Sequence, residues 1–363
     1  MRGASSPVNV AFLLTASLAF AETLPPTLWK EPVAALAKAG TLDGVRVDGD
    51  ALALDAGKTA GTFTSAEHAI PPSDKMVVSW NIRGTGGKVE LALRAKVGGA
   101  WTAWGVMGVW TGGQGSGCLK GQDTAVYDVD CDTFEVKGGK TADRIQMRAS
   151  VDPAGAAESP RITLLTATFW KKGKSFPLSL KKSPAWGKTV DVKPRSQMVE
   201  DKSIRGEICS ATSTAQVLAY WGIDFPTRRV CDGVIDRGHG IWGNWPCNTA
   251  FAGSADPAKL REAYIVHFYG GFTDVEAEIA AGRPVIIGHC WGPKDLDGAP
   301  IPKSNGHLIV IVGFTKDGDV VVNDPAADPA KGQEVRRVYK RAQLHHTWQE
   351  MASGIAYILL PAR

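Results

Sequence analysis

The sequence predicts two folded units, an all-β sandwich or jelly roll followed by an α+β unit. Three observations carry this. The chain has 363 residues, too many for one ordinary core and suited to two. Between about Gly40 and Trp170, apolar and polar residues alternate with period two. From Ser196 onward the pattern changes to a helical segment and then several apolar strands. The composition, 44% apolar and 21% charged, is that of a globular chain.

The first 21 residues read as a secretory signal: Arg2, an apolar stretch from Val8 to Phe20, and Ala19-Phe20-Ala21 as a small-x-small cleavage site. The stretch is shorter than the roughly 20 apolar residues a membrane span needs. The mature chain is expected to begin at Glu22, secreted or periplasmic. No later segment is long and apolar enough to cross a bilayer.

Val89, Leu91, Leu93, Ala95 and Val97 alternate with Glu90, Ala92, Arg94 and Lys96. Ile145, Met147, Ala149 and Val151 alternate with Arg144, Gln146, Arg148 and Ser150. Such patterns make half-buried antiparallel strands. They place a β-sandwich accessory domain over 40–170. Residues 171–192 form a basic, Pro-containing linker with solvated lysines. The α+β unit covers 193–363. It holds a helix from Cys209 to Tyr220 stopped by Gly222, and a short helix from Asp274 to Ala281. Its strands are Val285–Gly288, Leu308–Phe314, Val320–Val322 and Ala356–Leu360. Each unit is expected to hold its own core, so that a chain beginning near Lys188 folds alone.

The formal charge is only +4, and no helix carries a dense basic stripe, which argues against nucleic acid as a partner. Six cysteines occur: Cys118, Cys131, Cys209, Cys231, Cys247 and Cys290. In an oxidising compartment most are expected to pair, with Cys118–Cys131 and Cys231–Cys247 as the local choices.

Cys209 stands immediately before a predicted helix. Unsatisfied N–H groups and partial positive charge at a helix start favour a thiolate, the nucleophilic form. Alone, a buried inert thiol or half a disulfide fits as well. His307, in Asn305-Gly306-His307-Leu308, opens an apolar strand. A hairpin around Asp317-Gly318 can return Asp324, in Asn323-Asp324-Pro325, to the imidazole. There a carboxylate would fix the tautomer, although Asp before Pro is also an ordinary turn residue. Gln197 lies twelve residues before Cys209 and can offer a side-chain N–H to an oxyanion.

Four blocks carry a resemblance across about Lys193 to Leu360: Pro194-Arg195-Ser196-Gln197, Cys209-Ser210-Ala211-Thr212-Ser213 running into Tyr220-Trp221-Gly222, Asn305-Gly306-His307-Leu308, and Val322-Asn323-Asp324-Pro325-Ala326. Their order resembles the bacteriocin-processing cysteine peptidases of the papain clan, and more closely their secreted bacterial relatives without a transporter. The resemblance implies a papain-like domain, a peptide or protein substrate, and no metal or organic cofactor. It implies Cys209 as nucleophile, His307 as base, Asp324 as orienter and Gln197 as oxyanion donor. Gly243-Asn244-Trp245-Pro246 fits a segment of the cleft wall. Ala211, where a proline is common, and Cys290, where a small residue is expected, depart from the pattern.

Other readings weigh less. His289-Cys290, His307 and Asp324 offer zinc ligands, but adjacent strand residues point to opposite faces and no His-Glu-x-x-His occurs. Gly187-Lys188-Thr189 lacks the upstream glycine of a phosphate loop. Trp80, Trp101, Trp104, Trp110 and Trp170 allow a carbohydrate or cell-wall platform, although clustered tryptophans in a sandwich more often form core. A non-catalytic surface protein, or a transglutaminase-like or amidase-like acyl transferase using the same triad, remains open.

Overall fold

A computed structural model describes residues 26–84, 86–112, 116–156, 158–268 and 270–362. The expected signal segment lies outside the described residues. From Leu28 to Trp170 the chain builds two seven-stranded sheets. The first runs Tyr127–Asp130, Thr133–Val136, Lys75–Arg83, Arg161–Trp170, Ala51–Leu54, Val45–Asp48, with Leu28–Lys30 also on Arg161–Trp170. The second is built around Lys88–Val97 and Ala142–Asp152, antiparallel from Val97 opposite Ala142 to Lys88 opposite Asp152. The inner faces share one core, in which Val78, Trp80 and Ile82 meet Leu91, Leu93, Ile145 and Met147. Val89, Leu91, Leu93 and Ala95 are fully buried, and Arg94 and Lys96 point out. This is the period-two pattern turned into two faces.

Among the tryptophans, Trp80, Trp110 and Trp170 are buried. Trp101 and Trp104 are half-buried under Arg94, and Arg148 covers Trp104 as well, with guanidinium-to-ring distances of 4.6–4.8 Å. These rings pack against cations on their own sheet.

The second unit is a six-stranded antiparallel sheet, ordered Leu260–His267, Ile355–Pro361, Val285–Trp291, Ser304–Phe314, Val320–Asn323, Arg336–Tyr339. The strand Ser304–Phe314 is covered on both faces, which explains its unbroken apolar run. Leu308, Val310 and Val312 pack with Ala211, Ala215 and Leu218 of the helix Cys209–Tyr220. Ile309 and Ile311 pack with Phe272, Val275 and Ile279 of the helix Phe272–Ala280. The short helix therefore begins two residues before the expected Asp274.

Half of the expected linker is built into the second unit. Val190 N–H donates to Val312 O at 2.7 Å, and Phe314 N–H to Lys188 O at 2.9 Å. Ala185 and Val192 are fully buried, while Lys181, Lys182 and Lys188 remain exposed.

The sandwich has a core nearly all its own, whereas the cores of the second unit take in residues of the sandwich as well. Leu260–His267 is an edge strand, and its free edge lies on the sandwich. There Asn81 completes it with a strand-like pair of bonds, accepting from Ala263 N–H and donating to Ala263 O, each 2.8 Å. Ile265 N–H donates to Ser79 Oγ and His267 N–H to Thr168 Oγ1, both at 2.9 Å. The packing is also shared. Val77 and Trp170 join Ile208 and Val192, and Leu28 and Leu164 join Tyr264 and Val266.

All six cysteines are free thiols. Cys118 and Cys131 approach each other without a bond. The expected Cys231–Cys247 pairing is not found. Cys231 lies in the electrostatic surroundings of Glu200 and Asp232, whereas Cys247 lies in those of Asp236, Cys131 and Asp132.

Candidate active site

Cys209 is the first residue of its helix and is half-buried. The helix is nearly all buried and rich in Ser and Thr, which the fold satisfies individually. Ser213 Oγ donates to Leu308 O at 3.0 Å, and Ser210 shares a 3.1 Å bond with the Tyr357 hydroxyl. Ser213 thus ties the nucleophile helix to the residue after His307.

His307 lies on the strand Ser304–Phe314, three residues inside its start, and is 3% exposed. The hairpin brings Val310 opposite Asn323, so Asp324 follows directly on the returning strand. His307 Nε2 lies 2.8 Å from Asp324 Oδ1. With Nε2 engaged there, Nδ1 is left to meet the Cys209 thiol, to which His307 is hydrogen-bonded. Asp324 is fully buried and saturated. Oδ1 also accepts from Ala326 N–H at 3.0 Å, and Oδ2 accepts from the Tyr339 hydroxyl at 2.6 Å.

These contacts decide the charges. Burial alone would raise the Cys209 thiol, but the His307 hydrogen bond and charge, with backbone N–H groups of Leu308 and Ser210, hold it below its ordinary value. Burial would lower His307, but Asp324 and then Cys209 raise it to about 10. Burial would raise Asp324, but His307 and Tyr339 bring it to about 2. The three groups titrate as one coupled unit that favours thiolate, imidazolium and carboxylate.

Gln197 is buried in the same cleft. Its Nε2 donates one N–H to Arg205 O at 2.7 Å, and its backbone N–H donates to Pro325 O at 2.8 Å. Its Oε1 is buried and makes no hydrogen bond. The cleft, about 630 Å³, is walled by Trp242, Gly243 and Trp245 opposite His307 and Ala326. A smaller hollow adjoins it past Gly306, His307 and Trp245, and there the sandwich contributes Lys75, Trp170 and Lys172.

Two neighbours, Tyr339 and Trp291, were not singled out by sequence reasoning, and a third, His289, was weighed there only as a zinc ligand. Tyr339 gave no signal, because its partner Asp324 lies on another strand. Trp291 meets the His307 ring edge-on at 5.6 Å. His289, paired opposite His307 in the ladder, stacks on Trp291, and burial holds it neutral, down at about 3. Among the described residues His289, Cys290, His307 and Asp324 do not gather as a set of metal donors.

A thiol at a helix start, bonded to an imidazole inside a cleft, is the site of a cysteine hydrolase. The family comparisons state which one: residues 189–355 match the model of the peptidase C39 like family, and residues 33–169 match that of the peptidase C39 N-terminal domain. The chain belongs with the C39-like cysteine peptidases and is a cysteine-type peptidase. No curated protein matches it. Solved structures with some likeness include a double-glycine-motif protease from an AMS/PCAT transporter in complex with its leader peptide. That match has 18% identity, covers 48% of this chain and 98% of that one, and has a TM-score of 0.24. The C-terminal CBM6 of LamC from Zobellia galactanivorans has 12% identity, 39% and 98% coverage, and a TM-score of 0.22. The Emp46p carbohydrate recognition domain has 17% identity, 36% and 88% coverage, and a TM-score of 0.23.

Proposed function

We propose that this peptidase is exported after cleavage near Ala21, and that it hydrolyses peptide bonds through Cys209, His307 and Asp324 on a papain-like helix-and-sheet frame. The observation that carries this reading is the continuous line of hydrogen bonds from Cys209 through His307 to the buried Asp324. The Cys209 thiolate attacks the peptide carbonyl carbon, and the carbonyl electron pair moves to oxygen. A side-chain N–H of Gln197 and the Cys209 backbone N–H bind that oxyanion. His307 gives its proton to the leaving amine as the C–N bond breaks, leaving a thioester. It then takes a proton from water, which attacks the thioester and releases Cys209. Asp324 holds the imidazolium throughout. The sandwich covers the peptidase sheet and extends the cleft wall, in place of a sugar platform.

Labelling with an electrophilic thiol probe, followed by peptide mapping, tests this. Modification is expected at Cys209 ahead of the other five thiols. Cys209→Ala is expected to remain folded and lose peptide hydrolysis. Unchanged hydrolysis in that variant would overturn the reading.

A further inference from the structure

Outside the catalytic triad, two thiols, a carboxylate and an imidazole converge. Cys118 and Cys131 come from the sandwich, on either side of the strand Tyr127–Asp130. Asp236 and His239 come from the loop after the helix Thr227–Val234. One donor atom from each lies within 4.8 Å of the others. We propose that these four residues are a tetrahedral site for a zinc-class divalent cation, which fastens the sandwich to the peptidase unit.

The donor chemistry points to that class. Two thiolates with one imidazole and one carboxylate suit zinc and are poorly matched to magnesium or calcium, which take oxygen. The spacing fits as well. Zinc bonds of about 2.3 Å to sulfur and about 2.0–2.1 Å to nitrogen or oxygen place tetrahedral ligands roughly 3.3–3.8 Å apart. Cys131 Sγ lies 3.8 Å from Asp236 Oδ2, and His239 Nδ1 lies 3.4 Å from the same oxygen. The His239 Nδ1 atom is buried and makes no hydrogen bond.

The outer partners fix these donors in advance, as they do around metal ligands. Asp236 Oδ1 accepts three backbone N–H groups, from Cys118 at 3.1 Å, Gly238 at 2.8 Å and His239 at 3.2 Å. That turns Oδ2 toward the thiols. Asn244 Nδ2 donates to Cys118 Sγ and to Asp236 Oδ2, each at 2.8 Å, as suits anionic ligands. Two glycines allow the segments to touch. A Cβ on Gly238 would lie 1.9 Å from Cys118 O, and one on Gly117 would lie 2.3 Å from Asp236 Oδ1. Arg237 N–H bonds Ser116 O across the same junction at 2.9 Å. Loading is a ligand exchange: the cation displaces two thiol protons to solvent, and nothing is oxidised or reduced.

The test uses the full chain, reduced, loaded with zinc or with cobalt(II), and desalted. Elemental analysis is expected to find one zinc per chain. The cobalt form is expected to show thiolate-to-metal charge transfer and the intense visible bands of tetrahedral geometry. Both signals are expected to vanish in Cys118→Ser/Cys131→Ser and to persist in Cys290→Ser. His239→Ala removes a partly exposed ligand with little risk to folding, and is expected to weaken zinc binding at least about tenfold. Zinc is expected to raise the Tm of the wild type and not of the double variant. The proposal is overturned if the reduced wild type retains no zinc, or if the double variant retains as much. It is equally overturned if the chain as isolated from its producing cells carries a Cys118–Cys131 disulfide.

Discussion

His307 is buried where a charged imidazole would ordinarily be unstable, and only its two partners keep the proton on it. Asp324→Asn retains the shape and loses the charge. Turnover is expected to fall about tenfold to ten-thousand-fold, the upper end being the loss seen when a serine triad gives up its carboxylate. Asp328→Asn is the control. The Asp328 carboxylate accepts from Ala330 N–H and pairs with the exposed Lys331 at 3.8 Å, both within its own turn, and its variant should stay near wild type. Equal activity in all three would reduce Asp324 to a turn residue. The pH dependence follows from the same contacts. In a Cys209→Ala background, no thiol proton offsets that of His307. His307 is raised in the folded state, so its contribution to stability is complete below about pH 6.5 and is lost as pH rises through its folded value. Asp324 is lowered, so its contribution is complete above about pH 4 and is lost as pH falls toward about 2. Urea unfolding should therefore find the cost of Asp324→Asn largest between about pH 4 and 6.5. A cost that does not change with pH would contradict the ion pair. For the intact triad, kcat/KM should be bell-shaped, with an alkaline limb above the ordinary histidine range. That Cys209, His307 and Asp324 come together was legible because each sits beside a local signal: a helix start, a strand start, a turn. Tyr339 was not, and His289 was read only as a zinc donor, because only the folded sheet sets Tyr339 on Asp324 and His289 opposite His307.

The strands of the sandwich declared themselves through strict alternation, as at Val89 to Val97, because one face of each meets the core. The helix Cys209–Tyr220 was also readable, from its composition and from Gly222, whose φ of 81° ends it. The helix Trp245–Ser254 was not foreseen. Pro246, Cys247, Asn248, Thr249, Ala250, Ala252 and Gly253 are all buried, so it has no polar stripe from which a period could be read. Equally hidden was the bond between Asn81 and Ala263, 182 residues apart. Asn81→Ala should leave the N–H and C=O of Ala263 buried without partners. The expected loss is roughly 2–4 kcal/mol of unfolding free energy, read from denaturant midpoints. A change below about 0.5 kcal/mol would mean that water replaces the amide, and that this edge is less dry than its burial implies.

At the scale of the molecule, the two units share packing. The full chain is expected to unfold in a single transition by both near- and far-ultraviolet circular dichroism. A chain beginning at Lys188 should lack fixed aromatic signals, because Val77, Trp170, Leu28 and Leu164 are gone from its cores. Two well-separated transitions would speak against this. The sandwich edge contact also has a consequence for solubility. An open strand edge is a template on which any passing strand can add. Here Asn81, Ser79 and Thr168 meet the template amide by amide, and side chains anchored in another sheet cannot be extended by a further strand. A nick that let the sandwich drift away would lay that edge bare again, so the accessory unit also works as a cover that keeps the peptidase sheet from growing.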